Sequence, residues 1–493
     1  MAELKVLFVT SEIAPLIKTG GLADVSGALP AALREIGVDV RVIVPGYPQI
    51  LAQMESWEEL ANFPDLAGFP PCRLLGSTME SGVPLMAIDC PALYQRDGGP
   101  YLDAQGHDWS DNPLRFGLLC RISAILGCGG TPLSWHPDVV HGNDWQAGLT
   151  GAYLDVAQDA APSIFTIHNL AFQGNFEPEY VARLHLPEHF YAIDGLEFYG
   201  RMSFLKAGIY YGKHITTVSP NYAREIQGDE LGFGMQGLLQ VRTKDVSGIL
   251  NGIDTDEWNP AADKYLPFHF STRNMTGKAK NKRALQELLG LQVNEDIPLL
   301  AAVSRMTHQK GLDLLIEISP RLLELPVQIV MLGTGEKAMQ DQALSLAARY
   351  PGKFAAMIGF DEGLSHQIEA AADMFAMPSR FEPCGLNQFY SQRYGTPPIV
   401  HSTGGLADSV TDCTSQTLKD GTASGFVFSG MTADNLYASV LRAVELYRKP
   451  VQWKRLRKLC MIKDFSWETS ARAYLGVYLK ALGIESGSDS DKL

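Results

Sequence analysis

Long apolar runs are missing from this chain: none could span a bilayer, and the first residues lack the basic region, apolar core and cleavage site of a signal peptide. Positive charge is in the minority, and the net charge of −14 argues against nucleic acid or an anionic membrane as the main partner. The seven cysteines form no close CxxC pair, and their odd number favours reduced thiols over a disulfide framework. Together these absences predict a cytoplasmic protein.

The signatures of several common chemistries are also absent. The sequence contains no HExxH, EF-hand loop, zinc-type Cys/His spacing, Walker A or GxSxG motif, and no G-x-G-x-x-G follows the first strand pattern. The missing glycine fingerprint argues against a nicotinamide or flavin enzyme. We therefore expect no metal site and no cofactor, and we expect any activity to survive chelation.

What the sequence does contain is two successive series of short apolar strands that alternate with helical patterns. The first series comprises Lys5–Thr10, Val38–Val44, Asp138–His141, Ser163–His168 and His214–Ser219. The second series comprises Pro298–Ser304, Val327–Gly333, Lys353–Ile358, Met374–Met377 and Pro398–His401. Continuous apolar strands between helices predict parallel sheets that are covered on both faces. Since 493 residues are too many for one ordinary core, we predict an α/β protein with two doubly wound, Rossmann-like domains.

The boundary between these domains is expected near Ile249–Pro260, where polar and turn residues cluster. Near the other end, Phe465–Leu482 has a strong helical pattern, with Ser466 as its N-cap, and it could pack on its own domain or on the other one. The last residues are polar and free of aromatics, so we expect them to be frayed. The predicted segments are residues 1–250, 251–464, 465–483 and 484–493.

The hexapeptide TGGLAD occurs twice, at Thr19–Asp24 and at Thr403–Asp408. Ligands of doubly wound domains bind at the carboxyl ends of the strands. A Gly-Gly turn there lets backbone N–H groups approach a ligand, and a following helix offers its positive N-terminus to an anion. Two domains that face each other across a deep cleft would each present one such turn. The alternative is that both are strand-to-helix turns in which glycine supplies a positive φ.

Three cations accompany these turns. Lys18 directly precedes the first copy, and Arg305 and Lys310 flank a short loop that follows the strand pattern Pro298–Ser304. A guanidinium offers a planar fork and an ammonium a compact charge, so the pair is suited to hold a diphosphate. The alternative is that all three are solvated surface charges.

Other polar and aromatic groups also follow predicted strands. Glu382 begins a Pro- and Gly-containing turn, where it could accept hydrogen bonds from sugar hydroxyls or cap a helix. Phe360 could pack against a base or lie in the core, and Gly333 lies in a segment that could line a nucleoside pocket. In the first half, His168 and Asn169 end a strand and are suited to grip a polar ligand.

Taken together, the motifs KTGGLADV, TIHNL, NGID, SRMTHQKG, RFEPCGLNQ and TGGLADSV resemble those of the bacterial glycogen synthase and plant starch synthase family, in the same order over residues 18 to 410. The resemblance implies a GT-B architecture with the active site between two lobes and a C-terminal helix that crosses back to the first lobe. It also implies transfer of glucose from ADP-glucose to the non-reducing end of an α-1,4-glucan, with retention of configuration.

The resemblance implies roles for particular residues. Lys18 would contact the nucleotide sugar near its phosphates, Arg305 and Lys310 would bind the diphosphate, and Glu382 would hold glucose hydroxyls. The carbonyl of His168 would lie near the anomeric carbon. The residue patterns and the resemblance together predict three groups of site residues. The catalytic residues are His168, Arg305, Lys310, Glu382 and Asp144, and the acceptor-binding residues are Tyr101 and Asn169. The donor-binding residues are Lys18, Gly20, Gly21, Asp24, Asn251, Gly333, Phe360, Cys384, Gly385, Leu386, Thr403 and Gly404.

The chain departs from related retaining transferases at three positions. Tyr390 stands where many have a second Glu, Phe360 replaces a frequent Tyr, and Asn143 replaces a frequent His. Three alternatives stay open: a synthase that prefers UDP-glucose, a catalytically dead glucan-binding homologue, and a glucan phosphorylase, although no pyridoxal-binding lysine motif is found. The sequence gives no indication of oligomeric state.

Overall fold

The computed structural model describes residues 3–157 and 159–484, and the chain divides into two compact units. One unit contains the residues up to Gly252 together with those from Trp467 onward, and the other is Ile253–Ser466. Almost all of the segment 484–493, which the sequence predicts to be frayed, lies outside the described residues. Within the described ranges, no helix combines the length and apolar character of a membrane span.

The first unit contains one large sheet and one small sheet. Its strands are β1 (Lys5–Val9), β2 (Asp39–Pro45), β3 (Glu58–Phe63), β4 (Cys72–Thr78), β5 (Pro84–Asp89), β6 (Val139–Asn143), β7 (Ser163–Ile167), β8 (Asn175–Phe176), β9 (Glu197–Phe198), β10 (Arg201–Ser203), β11 (His214–Thr217) and β12 (Val246–Gly248). Its helices before the boundary are α1 (Gly21–Glu35), α2 (Pro48–Gln53), α3 (Pro91–Tyr94), α4 (Asn112–Gly127), α5 (Leu149–Asp155), α6 (Tyr180–Arg183), α7 (Phe204–Tyr211), α8 (Pro220–Glu225) and α9 (Gln236–Val241).

The large sheet has nine strands in the order β12-β11-β7-β6-β1-β2-β5-β4-β3. The strands from β12 to β5 pair in parallel, as in the pairing of Lys5 with Asp39, and they form the doubly wound part of the unit. The edge strands β4 and β3, which the sequence did not predict, pair antiparallel to each other, and β4 pairs antiparallel to β5. Glu58–Phe63 is exposed along much of its length, which an edge strand permits and a central parallel strand does not.

The second unit contains a single parallel sheet of six strands in the order β15-β14-β13-β16-β17-β18. These strands are β13 (Leu299–Val303), β14 (Gln328–Gly333), β15 (Phe354–Ile358), β16 (Met374–Met377), β17 (Pro398–His401) and β18 (Phe426–Phe428). Its helices are α10 (Thr276–Leu288), α11 (Leu312–Leu322), α12 (Lys337–Arg349), α13 (Glu362–Ala371), α14 (Asn387–Arg393), α15 (Gly404–Ser409), α16 (Ser415–Asp420), α17 (Ala433–Tyr447) and α18 (Pro450–Met461).

Both faces of this second sheet are covered. Leu300 and Ile329 point into one hydrophobic cluster, whereas their neighbours Leu299 and Val330 point into another on the opposite face. All four side chains are completely buried. Because successive side chains of a strand alternate between faces, burial on both sides requires the uninterrupted apolar strands that the sequence shows.

The last described helix, α19 (Trp467–Ala481), packs in the first unit. Tyr474 and Tyr478 are completely buried in the core cluster of that unit. The hydroxyl of Tyr478 lies 2.8 Å from Nδ1 of His141 on β6, and Ser470 donates a hydrogen bond of 2.6 Å to the carbonyl oxygen of Leu250. The helix therefore contributes both apolar and polar contacts to this core, whose other residues all precede residue 253 in the sequence.

Candidate active site

In the first unit, the first TGGLAD copy forms the start of α1. The helix begins at Gly21, and its N-cap Gly20 is extended, with φ −160°. A Cβ atom added at either glycine would meet no atom of the described residues within 4 Å, and neither has a positive φ. The alternative that these glycines supply a positive φ is therefore wrong for this copy. The space beside both α-carbon atoms is therefore free of other described atoms, and it lies at a helix N-terminus, the kind of position where anions bind.

The turn before α1 is held by Glu12, a buried residue that the sequence patterns above do not single out. Its carboxylate accepts hydrogen bonds from the backbone N–H of Thr19 at 2.6 Å and of Gly20 at 3.3 Å. It also accepts from the hydroxyls of Thr19 at 2.7 Å and of Tyr101 at 2.6 Å. One carboxylate thus fixes both the Gly-Gly turn and the predicted acceptor contact Tyr101. Its position shortly after the buried strand β1 is the sequence signal that could have identified it.

Lys18 forms an ion pair with Asp24 in the first turn of α1, with 2.7 Å between Nζ and Oδ1. The two side chains are 44% and 25% exposed, so the pair contributes at most about 1 kcal/mol to stability. A pair this weak leaves the ammonium able to exchange its partner for an incoming anion near the Gly-Gly turn.

Asp144, His168 and Asn169 come together at the carboxyl ends of β6 and β7. The backbone N–H of His168 donates to Oδ1 of Asp144 at 3.2 Å, and Asp144 adopts a positive φ of 59°. Burial raises the pKa of Asp144 to about 7, while hydrogen bonds from the backbone of His168 and Asn169 oppose that rise. A strained, buried carboxyl group with a raised pKa is typical of functional sites.

His168 is neutral at physiological pH, because burial lowers its pKa to about 3. Its Nε2 lies 3.1 Å from Oδ1 of Asn143. The amide nitrogen of Asn143 donates to the carbonyl oxygens of Val9 and His141, so Oδ1 is the acceptor. Nε2 of His168 therefore carries the proton, and Nδ1 keeps a lone pair that can accept a hydrogen bond from a ligand hydroxyl.

Replacing Asp144 with Asn should change how stability depends on pH. Because the folded pKa of Asp144 lies above that of an unfolded Asp, wild-type stability falls as pH rises between the two values. We therefore compare the free energy of unfolding of Asp144→Asn with that of the wild type. The variant minus wild-type difference should be roughly 2–3 kcal/mol larger at pH 8 than at pH 5. Calorimetric unfolding of both proteins at several pH values measures this difference, and a difference independent of pH would show that the carboxyl group titrates normally.

In the second unit, Lys310 and Glu382 form a largely buried ion pair, with 2.6 Å between Nζ and Oε2. Ser379 donates a further hydrogen bond of 2.9 Å to the same oxygen. Both contacts use Oε2, which leaves Oε1 without a hydrogen-bond partner among the described residues. The carboxylate is therefore fixed in place with one oxygen available to accept from a sugar hydroxyl.

Arg305 lies directly beyond β13 and is exposed. In the part of the chain that the structure describes, its guanidinium has neither an ion-pair nor a hydrogen-bond partner. Directly after Lys310, Gly311 has a φ of 67° and a Cβ there would lie 1.8 Å from the carbonyl oxygen of Pro378, so this position requires glycine. Arg380 pairs with Asp313 at 2.6 Å and ties the same region to the segment after β16.

The second TGGLAD copy starts α15 and packs against the turn that begins at Glu382. Gly404 has a φ of 44°, and a Cβ there would lie 1.9 Å from the carbonyl oxygen of Glu382. The N–H of Gly405 donates to that same carbonyl oxygen at 3.1 Å, and a Cβ on Gly405 would lie 2.3 Å from the carbonyl oxygen of Cys384. Here glycine is required by positive φ and close packing. The two identical hexapeptides therefore use glycine for different reasons.

The remaining predicted positions fall in both units. Phe360 is 78% exposed after β15, so the alternative of a core Phe is wrong. Gly333 ends β14 and approaches the carbonyl oxygen of Ser304, so it serves close packing.

Cys384 is buried, Gly385 has a φ of 73° and Leu386 is the N-cap of α14. Asn251 belongs to the first unit, and within residues 3–157 and 159–484 no hydrogen-bond partner of its buried Oδ1 is found.

The chain has two Rossmann-like units, with polar groups and cations at the carboxyl ends of their parallel strands. This arrangement defines the two-domain GT-B class of glycosyltransferases. Residues 5–241 match the family described as starch synthase catalytic domain, and residues 290–457 match glycosyl transferases group 1. The chain belongs to the glycogen synthase and starch synthase family, which confirms the resemblance inferred from its motifs.

Similar proteins cover nearly the whole chain. A glycogen synthase of Nitrosospira multiformis is 55% identical over 97% of this chain and 98% of its own length. One from Dechloromonas aromatica is 50% identical over 99% of this chain and 100% of its own length. The catalytic domain of starch synthase IV from Arabidopsis thaliana, solved with ADP and acarbose, matches with a TM-score of 0.85 at 32% identity, over 98% of this chain and 100% of that one. Sucrose-phosphate synthase from Thermosynechococcus elongatus shares the fold alone, with a TM-score of 0.56 at 15% identity over 98% of this chain and 99% of that one.

Proposed function

We propose that this glycosyltransferase moves glucose from ADP-glucose to the non-reducing end of an α-1,4-glucan, with retention of configuration. The observation that carries the proposal is the ion pair between Lys310 and Glu382, whose carboxylate keeps one oxygen without a hydrogen-bond partner among the described residues. The names of the relatives support it, as does the starch synthase that was solved with ADP and acarbose.

The cations would assist the departure of the diphosphate. Negative charge grows on the leaving phosphate in the transition state, so fixed positive groups bind it more tightly there than in the ground state. Arg305 would supply two parallel donors and Lys310 a point charge that Glu382 holds in place. We assign Lys18, Gly20 and Gly21 to the donor phosphates as well, because they lie at or next to the N-terminus of α1, a position that favours an anion.

Glucose would be held by polar groups of fixed orientation. Oε1 of Glu382 would accept from glucose hydroxyls, and Nδ1 of neutral His168 would accept from another. Asp144 would position the backbone of His168, whose carbonyl would lie near the anomeric carbon. We assign Asn169 and Tyr101 to the acceptor, and Glu12 is the residue that holds Tyr101.

The bond exchange would take place on one face of the sugar. As the bond from the anomeric carbon to the diphosphate oxygen breaks, the acceptor hydroxyl attacks and its proton passes to the leaving phosphate oxygen. Glycosidases that retain configuration use two facing carboxylates. Here the charged group shown in contact with Glu382 is the ammonium of Lys310, and a cation suits stabilisation of a leaving group better than protonation of a sugar oxygen. We place this reaction in the cytoplasm.

The test is to incubate the enzyme with ADP-glucose and a maltooligosaccharide, and with UDP-glucose in parallel. We expect ADP release matched by a product that is one glucose longer, and a higher kcat/KM for ADP-glucose. A higher kcat/KM for UDP-glucose would overturn the donor assignment. Glucan binding without release of either nucleotide would instead identify a catalytically dead homologue.

A further inference from the structure

A buried histidine in the second unit has one ring nitrogen hydrogen-bonded to a carboxylate, and its other ring nitrogen faces a second carboxylate. His366 lies on α13 and is completely buried, and its Nδ1 is 2.8 Å from Oδ2 of Asp263. Its ring stacks on Trp258, with 3.8 Å between ring centroids, and Trp258 stacks on Tyr390 on its other side. Among the described residues, Nε2 of His366 has no hydrogen-bond partner. Packing thus fixes the ring in one orientation, with Nε2 available.

Two carboxylates lie on the side of Nε2. Oε1 of Glu362, one helical turn before His366, is 3.5 Å from Nε2. Glu257 completes the group, and one ligand atom from each of the three residues lies within 4.8 Å of the others. Ligands of a tetrahedral zinc ion sit 2.0–2.2 Å from the metal and hence roughly 3.5 Å from one another. The spacing of His366 and Glu362 matches this value, and a ligand atom of Glu257 lies within 4.8 Å of both.

We propose that Glu257, Glu362 and His366 bind one divalent transition-metal ion, for which Zn²⁺ best fits the donor set of one imidazole and two carboxylates. Asp263 occupies the outer position that orients a metal-bound histidine by accepting the proton of its other ring nitrogen. Water fills the fourth coordination position. The hydroxyl of Tyr394 donates to the same Asp263 oxygen at 2.5 Å and holds this outer partner in turn.

A bound ion would link the chain segment just after the boundary at Ile253 to α13. It would be a structural site, separate from the residues assigned to glucose transfer, and it does not depend on the proposed function.

This proposal revises the expectation of no metal site. Sequence spacing gives no sign of this one, because Glu257 and Glu362 lie far apart along the chain and the topology of the second unit brings them together. Only the pair Glu362 and His366 has a helical spacing, and such pairs are common on helices that bind nothing.

The test is calorimetric titration of the EDTA-stripped full-length protein with Zn²⁺ and with Co²⁺. All proteins would carry Cys128→Ser, because Cys128 is the exposed thiol among the seven cysteines and could bind the ion itself. We expect one equivalent of each metal to bind and to raise the melting temperature. Glu257→Gln should weaken Zn²⁺ binding at least tenfold. The matched control Glu445→Gln removes the same charge from an exposed position on α17 and should bind as tightly as the parent.

Two results would overturn the proposal. One is the absence of stoichiometric binding by the parent protein, which would identify His366 as an imidazolium held between Asp263 and Glu362. The other is equal affinity in Glu257→Gln and the parent, which would place the ion elsewhere. Because Glu257 is exposed, its conservative replacement leaves the buried network around His366 in place, and circular dichroism of the variant checks that the fold is retained.

Discussion

Lys310→Ala is expected to lower kcat at least a hundredfold while the protein stays folded. The ammonium group is held 2.6 Å from Glu382 in a largely buried position. It is therefore already in place to stabilise the negative charge that would develop on a leaving phosphate near that carboxylate. Removal of one preorganised donor of this kind typically costs on the order of 10²–10³ in rate. Because the interaction strengthens in the transition state, the loss should appear in kcat more than in the KM for ADP-glucose. Steady-state kinetics with ADP-glucose and a maltooligosaccharide measures both.

The control is Lys337→Ala, which removes an ammonium that is 87% exposed and that, among the described residues, pairs with nearby Asp341 on the same helix. Its kinetics should match the wild type. Since Lys310→Ala leaves the buried Glu382 without its cation, its melting temperature must be measured too, and Lys310→Ala/Glu382→Gln should recover any stability that is lost. Near-normal turnover in a folded Lys310→Ala protein would refute the role assigned to the cation.

Truncation after Ser466 is expected to prevent stable folding of the first unit. The deleted residues include α19, whose Tyr474 and Tyr478 are completely buried, together with the nearly buried Trp467. Full burial of one large apolar side chain is worth about 1.5–3 kcal/mol, so the loss of three approaches the whole stability of an ordinary domain. His141 would also lose its hydrogen-bond partner Tyr478 inside the core. Circular dichroism and limited proteolysis would show the loss, with cleavage concentrated before residue 253.

The matched control ends at Ile484, which leaves all of α19 in place. That protein should keep the melting temperature of the full chain. A truncation after Ser466 that still melts cooperatively as the full chain does would show that the first unit folds without α19, and it would contradict the assignment of this helix to its core.

The sequence predicted the central strands well because their burial on both faces leaves an uninterrupted apolar run. Met374–Met377 and Pro398–His401 agree residue for residue with β16 and β17. By contrast, β3 and β4 were missed, because an antiparallel edge hairpin keeps polar residues on one side and resembles a loop in composition. In the small sheet, β8 pairs with residues of β10 that lie far along the chain, whereas β9 and β10 form a hairpin whose strands are too short to show an alternating pattern.

Within the site, residue types and spacing singled out Lys18, Arg305, Lys310 and Glu382, whereas Glu12 emerged only when its contacts with Thr19 and Tyr101 were visible. A lone carboxylate has many ordinary uses, so its type alone carries little information. The role of such a residue depends on which distant groups the fold brings within hydrogen-bond distance.

The sequence by itself determined the architecture and the family, and it supplied the candidate site residues as predictions, because strand burial and strand-end motifs are local properties of the chain. Only the tertiary structure decided why TGGLAD is needed twice, where α19 packs and which carboxylates surround His366. Each of these depends on atoms that lie far apart in sequence: the carbonyl oxygen of Glu382 excludes a side chain at Gly404, whereas no described atom lies near enough to do so at Gly20. The same six residues therefore form a tightly packed turn in one unit and an open one in the other.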